Sequence, residues 1–220
     1  MSHFPEQHPG PDDRVDYPDA PWQMVGQLFL SIFRVPEGVE AGGDDGARPA
    51  GIYGAAFVSY EEGSPLTYSE LLVARPVRTD DHGRRVSITD IWVDSPASMA
   101  GGRELWAIPK DLCDFSLDSS RTGPLSRTEW SASLARRPIA SARFTDVSRA
   151  TVRLPFKGGT WQPGIEDTDG EPRTATLQGS SRTLPCRGQW DFASDGPLAW
   201  LRDRRPVASF RMADFRMSFG

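Results

Sequence analysis

With 220 residues, 38% hydrophobic content, seven Trp and eleven Phe, the chain is long enough to bury one sizeable core and short for two. A formal net charge of −5 from mixed signs argues against a nucleic-acid partner held by phosphate contacts, and no run of 18 apolar residues offers a membrane span. The opening MSHFPEQHPGPDD lacks a basic segment followed by an apolar stretch, and the isolated Cys113 and Cys186 read as buried free thiols, with pairing as the alternative; a cytoplasmic protein is expected.

Residues 1–20, rich in Pro, Asp and Gly, predict a mobile tail, leaving 21–220 as a single domain. In VGQLFLSIFRV (25–35), Leu28, Leu30 and Ile32 fall on one strand face and Phe29 and Phe33 on the other. Polar residues 37–49 predict a loop, and strands follow at 51–60, 66–77 and 85–93, where β-branched and aromatic residues concentrate. DSPASMAGGREL (94–105) is the best helix start in the chain. Asp94 or Ser95 can cap, Pro96 fits the first helical position, and Gly101–Gly102 should end or distort the turn. Residues 106–117 read as extended again, and further strands are expected at 128–136, 140–147, 150–156, 174–179 and 185–192, with a loop at 164–173. In the closing ASFRMADFRMSFG the alternation slips near Ala213–Asp214, as a bulge makes it. Many short strands and few helices predict an α+β fold, predominantly antiparallel β, curled into a barrel.

Lysine occurs twice, at 110 and 157, against 23 arginines, the skew of a GC-rich genome. A lysine that survives such a bias is enriched at positions needing a primary amine, which a guanidinium does not supply. If 106–112 is extended, Trp106, Ile108, Lys110 and Leu112 share a face. An amine ringed by apolar groups loses its charged form more easily, so its pKa should fall. The blander reading is a surface lysine with its stem along the sheet. On 66–77, Glu70 shares a face with Tyr68, Leu72 and Ala74 and can shuttle a proton; otherwise it is an edge glutamate that discourages aggregation.

SMAGGRELWAIPKDL (98–112) resembles the motif of the acetoacetate decarboxylase superfamily, in which Gly-Arg-Glu leads within a few residues to an aromatic, apolar, Pro-Lys sequence. YSELLVARPV (68–77) is similar to that superfamily's glutamate-bearing strand, and RPVASFRMADFRMSFG (205–220) to its closing segment. The resemblance implies that Lys110 is a Schiff-base lysine and Glu70 its acidic partner. It further implies a β-rich cone enclosing a small-molecule keto substrate, no metal or organic cofactor, and a homo-oligomer. Trp106 and Ile108 would supply apolar wall. Two positions depart from the pattern. Asp111 stands where the decarboxylases carry a second lysine, and an anion there raises the pKa of its neighbour. Gln27 stands where an arginine associated with the substrate carboxylate is expected. A neutral amide there favours aldol, dehydration or cyclisation chemistry through the same iminium over decarboxylation of acetoacetate, and a specialised metabolic role.

Other readings carry less. His3, His8 and His82 have no second ligand at useful spacing, so no metal site is expected. Lys157 in KGGT reads as a turn rather than a phosphate loop. Asp90 is a second buried acid or a paired carboxylate, and Arg103–Glu104 an ion pair ordering the turn before Lys110. The rival classes are a non-catalytic binder or shape-directing cyclase using the same barrel, and a structural protein whose barrel is filled.

Overall fold

The computed structural model describes residues 15–40, 47–147 and 151–220. Its strands are β1 (Trp22–Val35), β2 (Val39–Glu40), β3 (Ala47–Arg48), β4 (Gly51–Tyr60), β5 (Tyr68–Thr79), β6 (Gly83–Val93), β7 (Asp111–Leu112), β8 (Asp114–Thr122), β9 (Leu125–Leu134), β10 (Arg137–Val147), β11 (Leu154–Gln162), β12 (Arg173–Pro185), β13 (Arg187–Phe192) and β14 (Ala208–Phe219). One α-helix, α1 (Pro96–Trp106), interrupts them, with short 3-10 turns at Glu166–Thr168 and Ala199–Leu201.

The long strands are apolar on both faces, so both must be covered. On β1 Met24, Leu28 and Leu30 face one way and Phe29, Phe33 and Val35 the other. On β5 the division is Tyr68, Leu72 and Ala74 against Leu71 and Val73. One solution serves all of them. The strands run β11–β12–β14–β1–β4–β5–β6, antiparallel at every step, and β6 meets β11 in parallel at Val86 and Thr160. The sheet thus closes into a seven-stranded mixed barrel, which encloses one set of side chains. The other set packs under an antiparallel sheet, β13–β10–β9–β8. There Phe57 is stacked between Trp130 and Trp190, with ring centroids 5.2 Å away on each side.

Closure is tight. A Cβ on Gly159 would come within 2.9 Å of the Ala175 carbonyl oxygen and 3.0 Å of Arg85 Cδ, so only glycine lets β11 approach. Three residues on, the buried Gln162 side chain continues the ladder: its Oε1 accepts from Ile88 N–H at 2.7 Å and its Nε2 donates to Ile88 C=O at 2.9 Å. A side-chain amide here does the work of a peptide.

Several expectations are corrected. β11 spans 154–162 rather than 150–156: Gly158 and Gly159 lie within it, Gly159 serving close approach and not a turn, and Lys157 therefore lies in a strand. Residue 150 itself lies outside the described residues. β12 continues through polar residues to Pro185, with a register shift between Ser180 and Arg182 opposite the bulge at Asp214, whose φ is 49°. The loop at 37–49 contains the β2–β3 pair, and its residues 41–46 lie outside the described residues. Of the tail, residues 1–14, with His3 and His8, also lie outside. Tyr17, however, packs over Gly101 and donates to Glu104 at 2.6 Å, and the Pro18 carbonyl accepts from Trp22 Nε1 at 2.7 Å. Asp90 is paired, accepting from Arg48 at 2.8 Å with both side chains buried. Both cysteines are free.

Candidate active site

α1 builds the site. Ser95 caps it, accepting from Ser98 N–H at 3.2 Å, with Pro96 in the first turn. The helix then runs through Gly101 and Gly102 without a break. Both glycines are there for space: a Cβ on Gly101 would lie 2.7 Å from the Trp22 ring, and one on Gly102 would lie 2.7 Å from Lys110 Cδ. Ala107 ends the helix in the left-handed region, φ 53°. Its N–H bonds the Arg103 carbonyl at 3.0 Å and that of Ile108 bonds the Gly102 carbonyl at 3.1 Å, so the terminal carbonyls are satisfied. The chain reverses and carries Lys110 back across Gly102.

Of the stretch 106–117 expected to be extended, residues 106–110 are a helix end and a reversal, whereas 111–112 and 114–117 lie in β7 and β8. Trp106, Ile108 and Lys110 still reach one cavity, but Leu112 is 39% exposed. Nor do Arg103 and Glu104 pair. Arg103 donates to Asp167 at 2.7–2.9 Å and to the Lys110 carbonyl at 3.1 Å, tying the lysine's backbone to α1 and to the turn at Glu166–Thr168. This guanidinium holds the Asp167 carboxyl below its ordinary pKa.

At the centre Lys110 and Glu70 are each 3% exposed. Lys110 Nζ donates to Glu70 Oε2 at 3.0 Å, Ser98 Oγ at 2.9 Å and Tyr68 OH at 3.4 Å, one acceptor for each proton of an ammonium. Tyr60 OH donates to the other oxygen of Glu70 at 3.2 Å. Burial, the largest single influence, works to lower the pKa of Lys110, but the Glu70 carboxylate and the Tyr68 oxygen together outweigh it and leave the pKa raised. This overturns the expected depression, which left the facing carboxylate out. Burial pushes both phenols up, Tyr60 furthest, so they act as neutral hydroxyls.

Around this cluster lies a cavity of ≈ 400 Å³ inside the barrel, walled by Leu28, Leu30, Leu72, Ile88, Leu177 and Met212 among others. The structural-protein reading expected a filled barrel; this one holds a cavity. Trp106 stands edge-on to Trp22 and Phe219, at 4.8 and 4.6 Å, and closes the end where β1 begins and β14 finishes.

A model of the acetoacetate decarboxylase family matches residues 35–162, more than half of the chain, with Glu70, Ser98 and Lys110 inside the match. The chain belongs to that family. An acetoacetate decarboxylase structure from Legionella pneumophila subsp. pneumophila str. Philadelphia 1 is 16% identical, covering 96% of this chain and 89% of that one with a TM-score of 0.56. A second acetoacetate decarboxylase structure is 17% identical, covering 92% and 88% at a TM-score of 0.57. An acetoacetate decarboxylase-like enzyme from Sphingomonas wittichii RW1 is 16% identical, covering 93% and 91% at 0.51. At such identities the likeness is one of fold. No curated protein sequence matches the chain.

Within this family fold, four of the five residues singled out by sequence line the cavity: Lys110, Glu70, Trp106 and Ile108. Gln27 is not brought there. Strand alternation turns it outward, where it donates to Glu61 at 2.7 Å and accepts from Arg211. Asp111 is exposed. Sequence reasoning missed Ser98 and Tyr60 as partners. Ser98 is the small polar residue in a first helical turn that is otherwise apolar. Tyr60 could be found only from the β4–β5 register, which sets it against Tyr68.

Proposed function

We propose that this chain is a lyase of the lysine Schiff-base type acting on a small-molecule keto compound, with Lys110 as nucleophile and Glu70 as acid and base. The observation that carries this reading is the buried 3.0 Å contact between Lys110 Nζ and Glu70 at one end of an apolar cavity. Desolvation or a neighbouring cation is the general route to a neutral catalytic amine, acetoacetate decarboxylase being the standing example. Here the first of these routes is available, opposed by a carboxylate.

That opposition has a chemical use. In a dry site an ion pair and its neutral form lie closer in energy than in water, because two charges must otherwise be kept desolvated. As a carbonyl compound displaces remaining water, the proton on Lys110 passes to Glu70 along the existing hydrogen bond, and the neutral amine attacks the carbonyl carbon. The carbonyl oxygen takes one proton from the attacking nitrogen and one returned by Glu70, and leaves as water. The iminium so formed accepts the electron pair of a breaking carbon–carbon or carbon–hydrogen bond, giving an enamine. Protonation at carbon and addition of water release the product and the amine. Ser98 and Tyr68 hold Nζ in place, and the lysine iminium serves as the electron sink. The rival reading, a binder or shape-directing cyclase, draws on the raised pKa of Lys110, which keeps its ammonium as a hydrogen-bond donor.

Borohydride trapping with ketones and β-keto acids, read by peptide mass spectrometry, separates the two. The expected result is a reduced adduct on Lys110 that vanishes in Lys110→Arg. Folded protein giving no adduct with any carbonyl compound favours the rival.

A further inference from the structure

We infer that the carbonyl compound taken by this cavity is uncharged and mainly apolar, with about a dozen non-hydrogen atoms, its carbonyl end placed at Lys110. The inference rests on the Schiff-base reading of that lysine and adds the class of substrate.

Charge is the first argument. Among the cavity's wall residues Glu70 and Lys110 neutralise each other, and no arginine contributes. Lys157, the one further charged residue of the wall, is exposed and also borders an outer groove beside Gln178 and Arg216, so water screens its ammonium. Gln27, where a carboxylate-binding arginine was expected, points away and is bonded to Glu61 and Arg211. A substrate carboxylate would thus enter an apolar chamber with no cation of its own, and would compete with Glu70 for Lys110. Unpaired charge is strongly disfavoured in such surroundings.

Size is the second. At about 30 Å³ per water-sized atom, ≈ 400 Å³ holds roughly a dozen non-hydrogen atoms, and a four-carbon keto acid would leave much of it empty. The wall itself is the third. Leu28, Leu30, Leu72, Ile88, Leu177 and Met212 stay only partly buried although they sit inside the barrel. They face open space that an apolar chain would cover. Tyr60, Tyr68 and Glu70, by contrast, gather around Lys110, and away from them the buried wall adds one hydroxyl, that of Thr160, so the two ends of a ligand would meet different surroundings.

The test compares 2-butanone, 2-decanone, 9-oxodecanoate and acetoacetate on the intact chain. It uses borohydride trapping at Lys110 and, in parallel, calorimetric titration without borohydride. Each buried methylene contributes about fourfold in affinity. We therefore expect 2-decanone to half-saturate at a concentration at least a hundredfold below 2-butanone and at least tenfold below 9-oxodecanoate. Acetoacetate or 9-oxodecanoate binding more tightly than 2-decanone overturns the inference while leaving Schiff-base chemistry in place. Calorimetric binding of 2-decanone with no adduct trapped from any of the four compounds overturns the Schiff-base reading, while the ligand class stands. If 2-decanone gives neither heat nor adduct, the inference is overturned.

Discussion

Lys110 is held by opposed forces that meet on one nitrogen: burial favours the neutral amine and Glu70 favours the ammonium. The carboxylate, with the Tyr68 oxygen beside it, prevails, so the resting lysine is charged; under the proposed chemistry it becomes nucleophilic only when the proton moves. Removing the carboxylate exposes the other force. In Glu70→Gln, burial acts unopposed by that charge and should carry the pKa of Lys110 below the ordinary lysine value. A lower pKa means more neutral amine at a given pH. Acylation of Lys110 by acetic anhydride, followed across pH 6 to 10 by peptide mass spectrometry, should therefore reach its midpoint about one pH unit or more lower in the variant. Ketone trapping, which needs the proton acceptor, should slow. An acylation midpoint that stays or rises would contradict the balance described.

At the scale of elements, α1 gathers the site. It supplies Ser98 to the amine, Gly102 to the lysine stem, Arg103 to the Lys110 carbonyl and Trp106 to the barrel end. Its start is legible in DSP, since a serine cap followed by proline is a local signal. Its passage through Gly101–Gly102 is not. Two adjacent glycines cost a helix roughly 2 kcal/mol in intrinsic preference, and only contact with Tyr17, Trp22 and Lys110 explains why they are kept. A helix carrying that cost depends on its cap. Ser95→Ala should lower stability by about 1 kcal/mol, seen as a fall in Tm of about 2–4 °C for a chain of this size. A thermal melt indistinguishable from the parent would show that the helix is held by packing alone.

For the whole molecule, closure of the barrel decides whether there is a cavity at all. The parallel β6–β11 contact is short, with a single ladder pair at Val86 and Thr160, and Gln162 extends it through its side chain. Gln162→Leu keeps the size but leaves the Ile88 N–H and C=O without those partners. The loss should cost roughly 3 kcal/mol and lower Tm by about 6–12 °C. Exchange of the Ile88 amide hydrogen should accelerate in parallel. A variant that melts like the parent, with Ile88 still protected, would place closure elsewhere.

Much of the fold was legible in the sequence because strand alternation, capping residues and turn formers act within a few residues of one another. β4 at Gly51–Tyr60 and the bulge at Asp214 were readable on that basis, as was the common face of Tyr68, Glu70, Leu72 and Ala74. The motif from Gly102 to Lys110 likewise singled out the lysine. What depended on contacts between distant residues was not readable. Gly158–Gly159 looked like a turn, yet lies in a strand whose glycine meets Arg85 and Ala175. Gln27 looked like part of the site, but strand alternation alone does not say which face of β1 lines a barrel and which lies under a second sheet. The charge state of Lys110 turned on a carboxylate 40 residues away. The sequence by itself determined which groups were chemically able to act; tertiary structure decided which of them share a desolvated space, because burial and electrostatic coupling depend on distance through space and not along the chain.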